Sequence, residues 1–269
     1  MTTINVPGSK VFLLGGTGTG KTYSIRTLVA SGLETLVLFT EPGMETISDI
    51  SCEKGLHWHY IPPASADWGV LLDGAKKINQ LSFDSLTKLT DLNKGKFTEM
   101  LDILTSCANF KCDRCGKVFG AIDALDPMKY AIVVDSLSGL SIAAMNMVAG
   151  TKPVKSMPDW AIAMDTIERF IIKLTTDVRP TTVVIGHLER ETDEITGGVQ
   201  LMASTLGRKL APKLPRFFSD VIMARRVGDK FEWSTAAVNT DLKTRNLPIS
   251  DHLPPDFNQI IEKWKARNS

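Results

Sequence analysis

The sequence predicts an α/β domain built on a mostly parallel sheet flanked by helices, with antiparallel strands near the C-terminus. Three observations lead there. Short, continuous apolar runs recur along the chain, as strands buried on both faces read. Segments with helical periodicity separate them, the pattern of a sheet covered on both sides. After Val221 the runs become short and closely spaced around Gly228-Asp229, a hairpin signal.

Val11-Phe12-Leu13-Leu14 is the first buried strand and ends in glycines. Lys21 to Ala30 reads as a helix closed near Gly32. Thr35 to Thr40 is the second strand and stops at Glu41-Pro42-Gly43. Tyr130 to Asp135 is the third and Thr181 to Ile185 the fourth, with a helix over Trp160 to Thr175 between them. Val221 to Arg226, Phe231 to Ser234 and Ala236 to Asn239 are the short late strands, and Ile260 to Ala266 is a terminal helix. A mostly polar stretch at about 55–126 reads as an insertion into a single domain spanning 1–269.

With 43% hydrophobic and 23% charged residues, the 269-residue chain has the makeup of a globular protein able to bury a core without disulfide staples. Its net charge of +1 excludes a whole-molecule field toward nucleic acid, so any such surface must be local. Met1 to Lys10 shows no charged leader or apolar run, and no stretch approaches the ~20 apolar residues of a membrane helix. The expectation is a cytoplasmic protein.

Gly15-Gly16-Thr17-Gly18-Thr19-Gly20-Lys21-Thr22 follows a strand and opens a helix, the context in which a Gly-x-x-x-x-Gly-Lys-Thr run cradles phosphate. Glycines let backbone N–H groups point inward, and the helix adds its positive end. Lys21 is placed for the β- and γ-phosphates of ATP, Thr22 for magnesium, and Tyr23 lies beside them. Asp135, at the tip of the third strand, is the expected acidic partner of magnesium (or a helix N-cap, and the two roles can coexist). Glu41 ends the second strand at the same sheet edge and is the candidate carboxylate for polarising water, against a turn-stabilising role. His187 ends the fourth strand there, either as a γ-phosphate sensor or as a structural histidine.

These residues in this order resemble the RecA-like core ATPases, and within them the short phage-encoded proteins of single-strand annealing and recombination. The likeness runs through Gly15–Thr22, Phe39-Thr40-Glu41, Ile132–Leu140, Val184–Glu189 and Asn239–Pro248. It implies an oligomeric ATPase, ring or filament, with ATP at the subunit interface, in the host cytoplasm if phage-encoded. It also implies that Lys243 and Arg245, on one face of a late strand, reach a neighbouring subunit's γ-phosphate; two solvated edge charges are the alternative. In such a fold two loops face single-stranded DNA. Here one carries Lys152 and Lys155, and the other Arg208, Lys209, Lys213 and Arg216 after an acidic first half containing Asp193 and Glu194. Four phosphate contacts would give a log–log salt slope of about −3. A solvated basic helix face reads the second stretch equally.

Cys112-Asp-Arg-Cys115-Gly resembles half of a zinc knuckle, and Cys107 precedes it by five residues. The spacing suits structural zinc on Cys107, Cys112 and Cys115, with Cys52, His57 or His59 open as the fourth ligand; free thiols are the alternative. A nucleotide-gated scaffold with little hydrolysis, a helicase or packaging motor, and a small-molecule kinase all share the phosphate cradle. The kinase reading lacks an arginine-rich lid.

Overall fold

The computed structural model describes residues 6–64, 68–89, 95–192 and 197–268. The chain runs β1 (Lys10–Gly15), α1 (Lys21–Ser24), α2 (Arg26–Ala30), β2 (Glu34–Phe39) and β3 (Leu56–Tyr60). It continues through α3 (Trp68–Gln80), α4 (Phe83–Thr87), α5 (Glu99–Ala108), β4 (Phe110–Lys111) and β5 (Val118–Gly120). Next come β6 (Tyr130–Asp135), α6 (Leu137–Ala149), α7 (Met157–Thr176), β7 (Thr181–Thr192) and β8 (Val199–Ala203). Then follow α8 (Gly207–Leu210), β9 (Asp220–Val227), β10 (Lys230–Ser234) and α9 (Asn258–Asn268).

The main sheet has the order β10-β9-β1-β7-β6-β2-β3, parallel from β9 to β3, with β10 antiparallel on β9 and β8 antiparallel on β7. The apolar runs divide by parity, as strand geometry requires. Phe12, Leu14, Leu36, Leu38, Val134 and Val184 pack beneath α5, α6 and α7, while Val11, Leu13, Val37, Phe39, Val133 and Val183 pack beneath α2 and α9. Each such side chain removed from water contributes about 1.5–3 kcal/mol.

The longest helix, α7, starts where Ser156 and Asp159 form a capping box, with Pro158 in the first turn. It then buries Ala163, Ile167, Phe170, Ile171 and Leu174 at helical spacing. Among the described residues no helix is long and apolar enough to cross a membrane.

Three expectations change. Leu56–Tyr60, inside the stretch read as an insertion, is a full strand of the main sheet, paired with β2. Ala236–Asn239 is not a strand; the chain turns there, with Asn239 at φ 69°. The fourth strand runs past His187 to Thr192, because its outer half leaves the core sheet to pair with β8. The predicted loop after Glu191 is therefore largely a hairpin, and Asp193 and Glu194 lie outside the described residues.

Candidate nucleotide site and cysteine cluster

Because β9, β1, β7, β6, β2 and β3 are parallel, their carboxyl ends share one edge, and the phosphate loop leaves β1 at that edge. Gly18 and Gly20 hold φ of 73° and 79°, a conformation that glycine adopts without penalty. A Cβ on Gly20 would also stand 2.8 Å from the Phe231 ring, so that position admits hydrogen only. Lys21 Nζ donates to the carbonyls of Gly15 at 2.9 Å and Gly16 at 2.7 Å. Burial pushes its ammonium below the usual lysine range, and the Asp135 and Glu41 carboxylates pull it back up.

The Thr22 hydroxyl donates to Asp135 Oδ2 at 2.7 Å, bringing together the two groups expected at magnesium. Burial pushes Asp135 up to about 6, opposed by that hydroxyl. A buried carboxylate whose one bound partner among the described residues is a hydroxyl fits a site completed by a cation. The N-cap role passes to the next residue: Ser136 caps α6, its side-chain oxygen accepting from the Ser138 N–H.

Glu41 lies between the tip of β6 and His187 of β7. Its Oε2 accepts from the Ser136 hydroxyl at 2.7 Å and sits 3.3 Å from His187 Nε2. The His187 hydrogen bond and then the Ser136 hydroxyl hold this carboxyl below the usual range against the opposing effect of burial. His187 is the last residue of β7 in register with β1, opposite Gly15, so β7 inserts it between the phosphate loop and Glu41. A cavity of about 320 Å³ is lined by Thr17 to Tyr23, Thr46, Asp135, His187 and Phe231. Thr46, Ser136 and Phe231 carry no sequence signal of a site. Phe231 arrives on β10, and its ring lies 6.3 Å from that of Tyr23.

A profile for the AAA domain matches residues 8–244, which spans β1, the phosphate loop, Glu41, Asp135 and His187. The chain belongs to the AAA domain family. It is a P-loop NTPase domain whose phosphate loop and acidic strand tip suit ATP and magnesium. No curated protein matches the sequence. Among solved structures, the RadB recombinase is similar at 11% identity over 91% of this chain and 85% of that one, with a TM-score of 0.36.

Other predicted positions of this AAA domain behave differently. Lys243 and Arg245 are not on an alternating strand. Asp220, at the start of β9, accepts from the backbone N–H groups of Arg245 at 2.8 Å and Asn246 at 2.9 Å, winding the segment into a turn. Lys243 Nζ donates to the Phe218 carbonyl at 2.8 Å, and Arg245 is exposed. Lys243 pairs with Val221, which lies beside Phe12, three residues before Gly15. At ~3.3 Å per residue this sets the turn roughly 10 Å of strand from the phosphate loop of its own subunit.

Two of the four basic residues in the stretch after β8 are paired. Lys213 and Arg216 both meet Glu168 of α7, at 3.0 and 3.1 Å. Lys152 meets Asp159 at 2.8 Å. Lys155 and Lys209 are exposed, and the Arg208 side chain lies outside the described residues. The expected run of four uncompensated charges is thus cut by a glutamate more than forty residues upstream.

The cysteine cluster also differs from expectation. Cys107, on α5, packs against the core beneath it, and burial pushes its thiol up to about 12; it is not with the others. Cys112 and Cys115 instead meet Cys52 and His57, with all four ligand atoms within 4.8 Å of one another. His59 faces away, its Nδ1 2.6 Å from Asp113 Oδ1.

Proposed function

We propose that this AAA domain hydrolyses ATP with magnesium, Glu41 accepting the proton of the attacking water, within a self-assembled ring or filament on single-stranded DNA. The observation carrying the hydrolytic part is Glu41: an ionised carboxylate fixed by Ser136 after β6 and His187 of β7 beside the phosphate loop. Lys21 would balance phosphate charge, and Thr22 with Asp135 would hold the cation. A positioned general base contributes about 10²–10⁴-fold, so Glu41→Gln is expected to retain nucleotide binding while turnover falls by roughly that factor. Turnover of the variant at the parent rate, measured by phosphate release, would remove Glu41 from the mechanism.

The DNA, assembly and recombination parts rest on the resemblance to phage-encoded RecA-like annealing proteins. In that reading Arg245, exposed at the far edge, is the residue offered to a neighbouring subunit. Turnover titrated with single-stranded and duplex DNA at two salt concentrations tests it. With Lys213 and Arg216 paired internally, the two other basic residues of that stretch, Arg208 and Lys209, would give a salt slope of about −1.4 rather than −3.

The same pairing favours a second reading, a nucleotide-gated scaffold in which the Ser136–Glu41–His187 chain transmits occupancy without rapid hydrolysis. Slow turnover indifferent to DNA at both salts would select it.

A further inference from the structure

We propose that Cys52, His57, Cys112 and Cys115 form a structural zinc site that ties the β4–β5 hairpin to the β2–β3 crossover. The four side chains already stand at the spacing zinc needs. Tetrahedral zinc with Zn–S of about 2.3 Å and Zn–N of about 2.0 Å requires sulfurs roughly 3.8 Å apart and sulfur to nitrogen roughly 3.5 Å. Cys52 Sγ to Cys112 Sγ is 3.8 Å, and Cys115 Sγ to His57 Nδ1 is 3.5 Å. Three sulfurs and an imidazole are a donor set for zinc rather than for magnesium or calcium.

The surroundings are built for the same purpose. Cys112 and Cys115 bracket a tight turn closed by Gly116 N–H to Cys112 O at 2.9 Å and Cys112 N–H to Lys117 O at 2.9 Å, with Gly116 at φ 73°. His57 is 2% exposed on β3, and its Nε2 is a buried nitrogen without an aligned hydrogen bond although Glu34 Oε1 stands 3.1 Å away. A carboxylate behind the second ring nitrogen is the usual support of a metal-bound histidine, and a small rotation of the ring would complete it.

The residues between the two cysteines hold the segments that supply the other ligands. Arg114 Nη1 donates to Ile50 O at 2.6 Å and its guanidinium lies 4.2 Å from the Trp58 ring centroid. Asp113 accepts from the Tyr60 N–H at 2.8 Å. The metal would therefore lock the crossover that begins just after Glu41, and with it β3, the edge strand of the sheet.

Metal content of the full chain, purified without added chelator, is expected to be one zinc per chain by mass spectrometry. Cobalt exchange should give intense tetrahedral d–d bands and a thiolate charge-transfer band. Cys52→Ser and Cys115→Ser should each lose most of the zinc, and Cys107→Ser should keep it. Where a ligand variant fails to fold, the cobalt spectrum of the parent decides. Chelation should raise amide exchange across 44–60 and 110–118 and leave β1 unchanged. Metal-free protein that takes up no cobalt, a Cys52–Cys112 disulfide in the native chain, or zinc loss in Cys107→Ser would each overturn the proposal.

Discussion

Lys21 at the carboxyl edge of the main sheet and Lys10 at its amino edge are both buried, 6% and 4% exposed, and both donate to backbone carbonyls. Cavities border both edges. The difference lies in saturation. An ammonium has three N–H donors. Lys10 spends them on Val178 O at 2.5 Å, Pro180 O at 2.7 Å and the Thr182 hydroxyl at 3.1 Å. Among the described residues Lys21 has two acceptors, both in the phosphate loop, and one N–H remains for a ligand. The carboxylates divide likewise. Asp220 is met by Arg245 N–H, Asn246 N–H and the Asn246 amide at 2.6 Å, whereas among the described residues Asp135 has the single Thr22 hydroxyl. Charged groups at the amino edge hold the chain together; those at the carboxyl edge are left able to change partner.

The largest effect that follows is on Lys21. Removing one partner of a desolvated charge pair costs about 2–5 kcal/mol, so Lys21→Ala should weaken ATP binding on the order of a hundredfold or more in a calorimetric titration. It also leaves the buried Gly15 carbonyl without its donor, so a modest fall in Tm should accompany the loss of binding. Equal losses of binding from Lys21→Ala and Lys10→Met would erase the distinction between the edges.

Asp220→Ala should do the reverse. It strands two part-buried N–H groups and an amide, at about 1 kcal/mol or more each, so a loss of roughly 3 kcal/mol is expected. For a chain of this size that lowers Tm by about 6–12 °C. ATP affinity of the folded fraction should be unchanged.

These contrasts also explain what the sequence made legible. The phosphate loop is contiguous, and Asp135 and Glu41 follow apolar strands whose register fixes them at one edge, so pattern alone placed them. Lys243 and Arg245 have strand spacing, but Asp220 offers the backbone a better set of acceptors, and the local pattern holds no trace of that competition. Apart from Cys115, Cys107 is the cysteine nearest to Cys112 in sequence, yet it sits on α5 facing the core, while Cys52 and His57 arrive through the pairing of β2 with β3. Glu168 neutralises Lys213 and Arg216 only because α7 packs beside that segment.

A smaller effect concerns pH at the amino edge. Burial pushes Lys10 from 10.5 to about 7. Between those values the unfolded chain binds more protons than the folded one at this position, so this lysine makes stability rise with pH across that window. Lys10→Met removes the slope and leaves two carbonyls without their donor. Thermal melts of both proteins from pH 6.5 to 10 should converge at the low end of the range and diverge toward the high end, or the lysine is not the cause.

The smallest effect sharpens the carboxyl edge. The hydrogen bond to His187 is the largest influence holding Glu41 below its ordinary value, and Ser136 is the next contact that lowers it. A depressed carboxyl contributes stability above its unfolded value that is lost as pH falls through the folded one, so the base form of Glu41 persists into mildly acidic solution. His187→Ala keeps Ser136 and removes the larger contact, so the acid limb of kcat/KM should move to higher pH while the plateau at neutral pH stays close to the parent. A uniform fall in turnover with the acid limb unmoved would mean that His187 acts on the phosphate loop opposite it, at Gly15, rather than through Glu41.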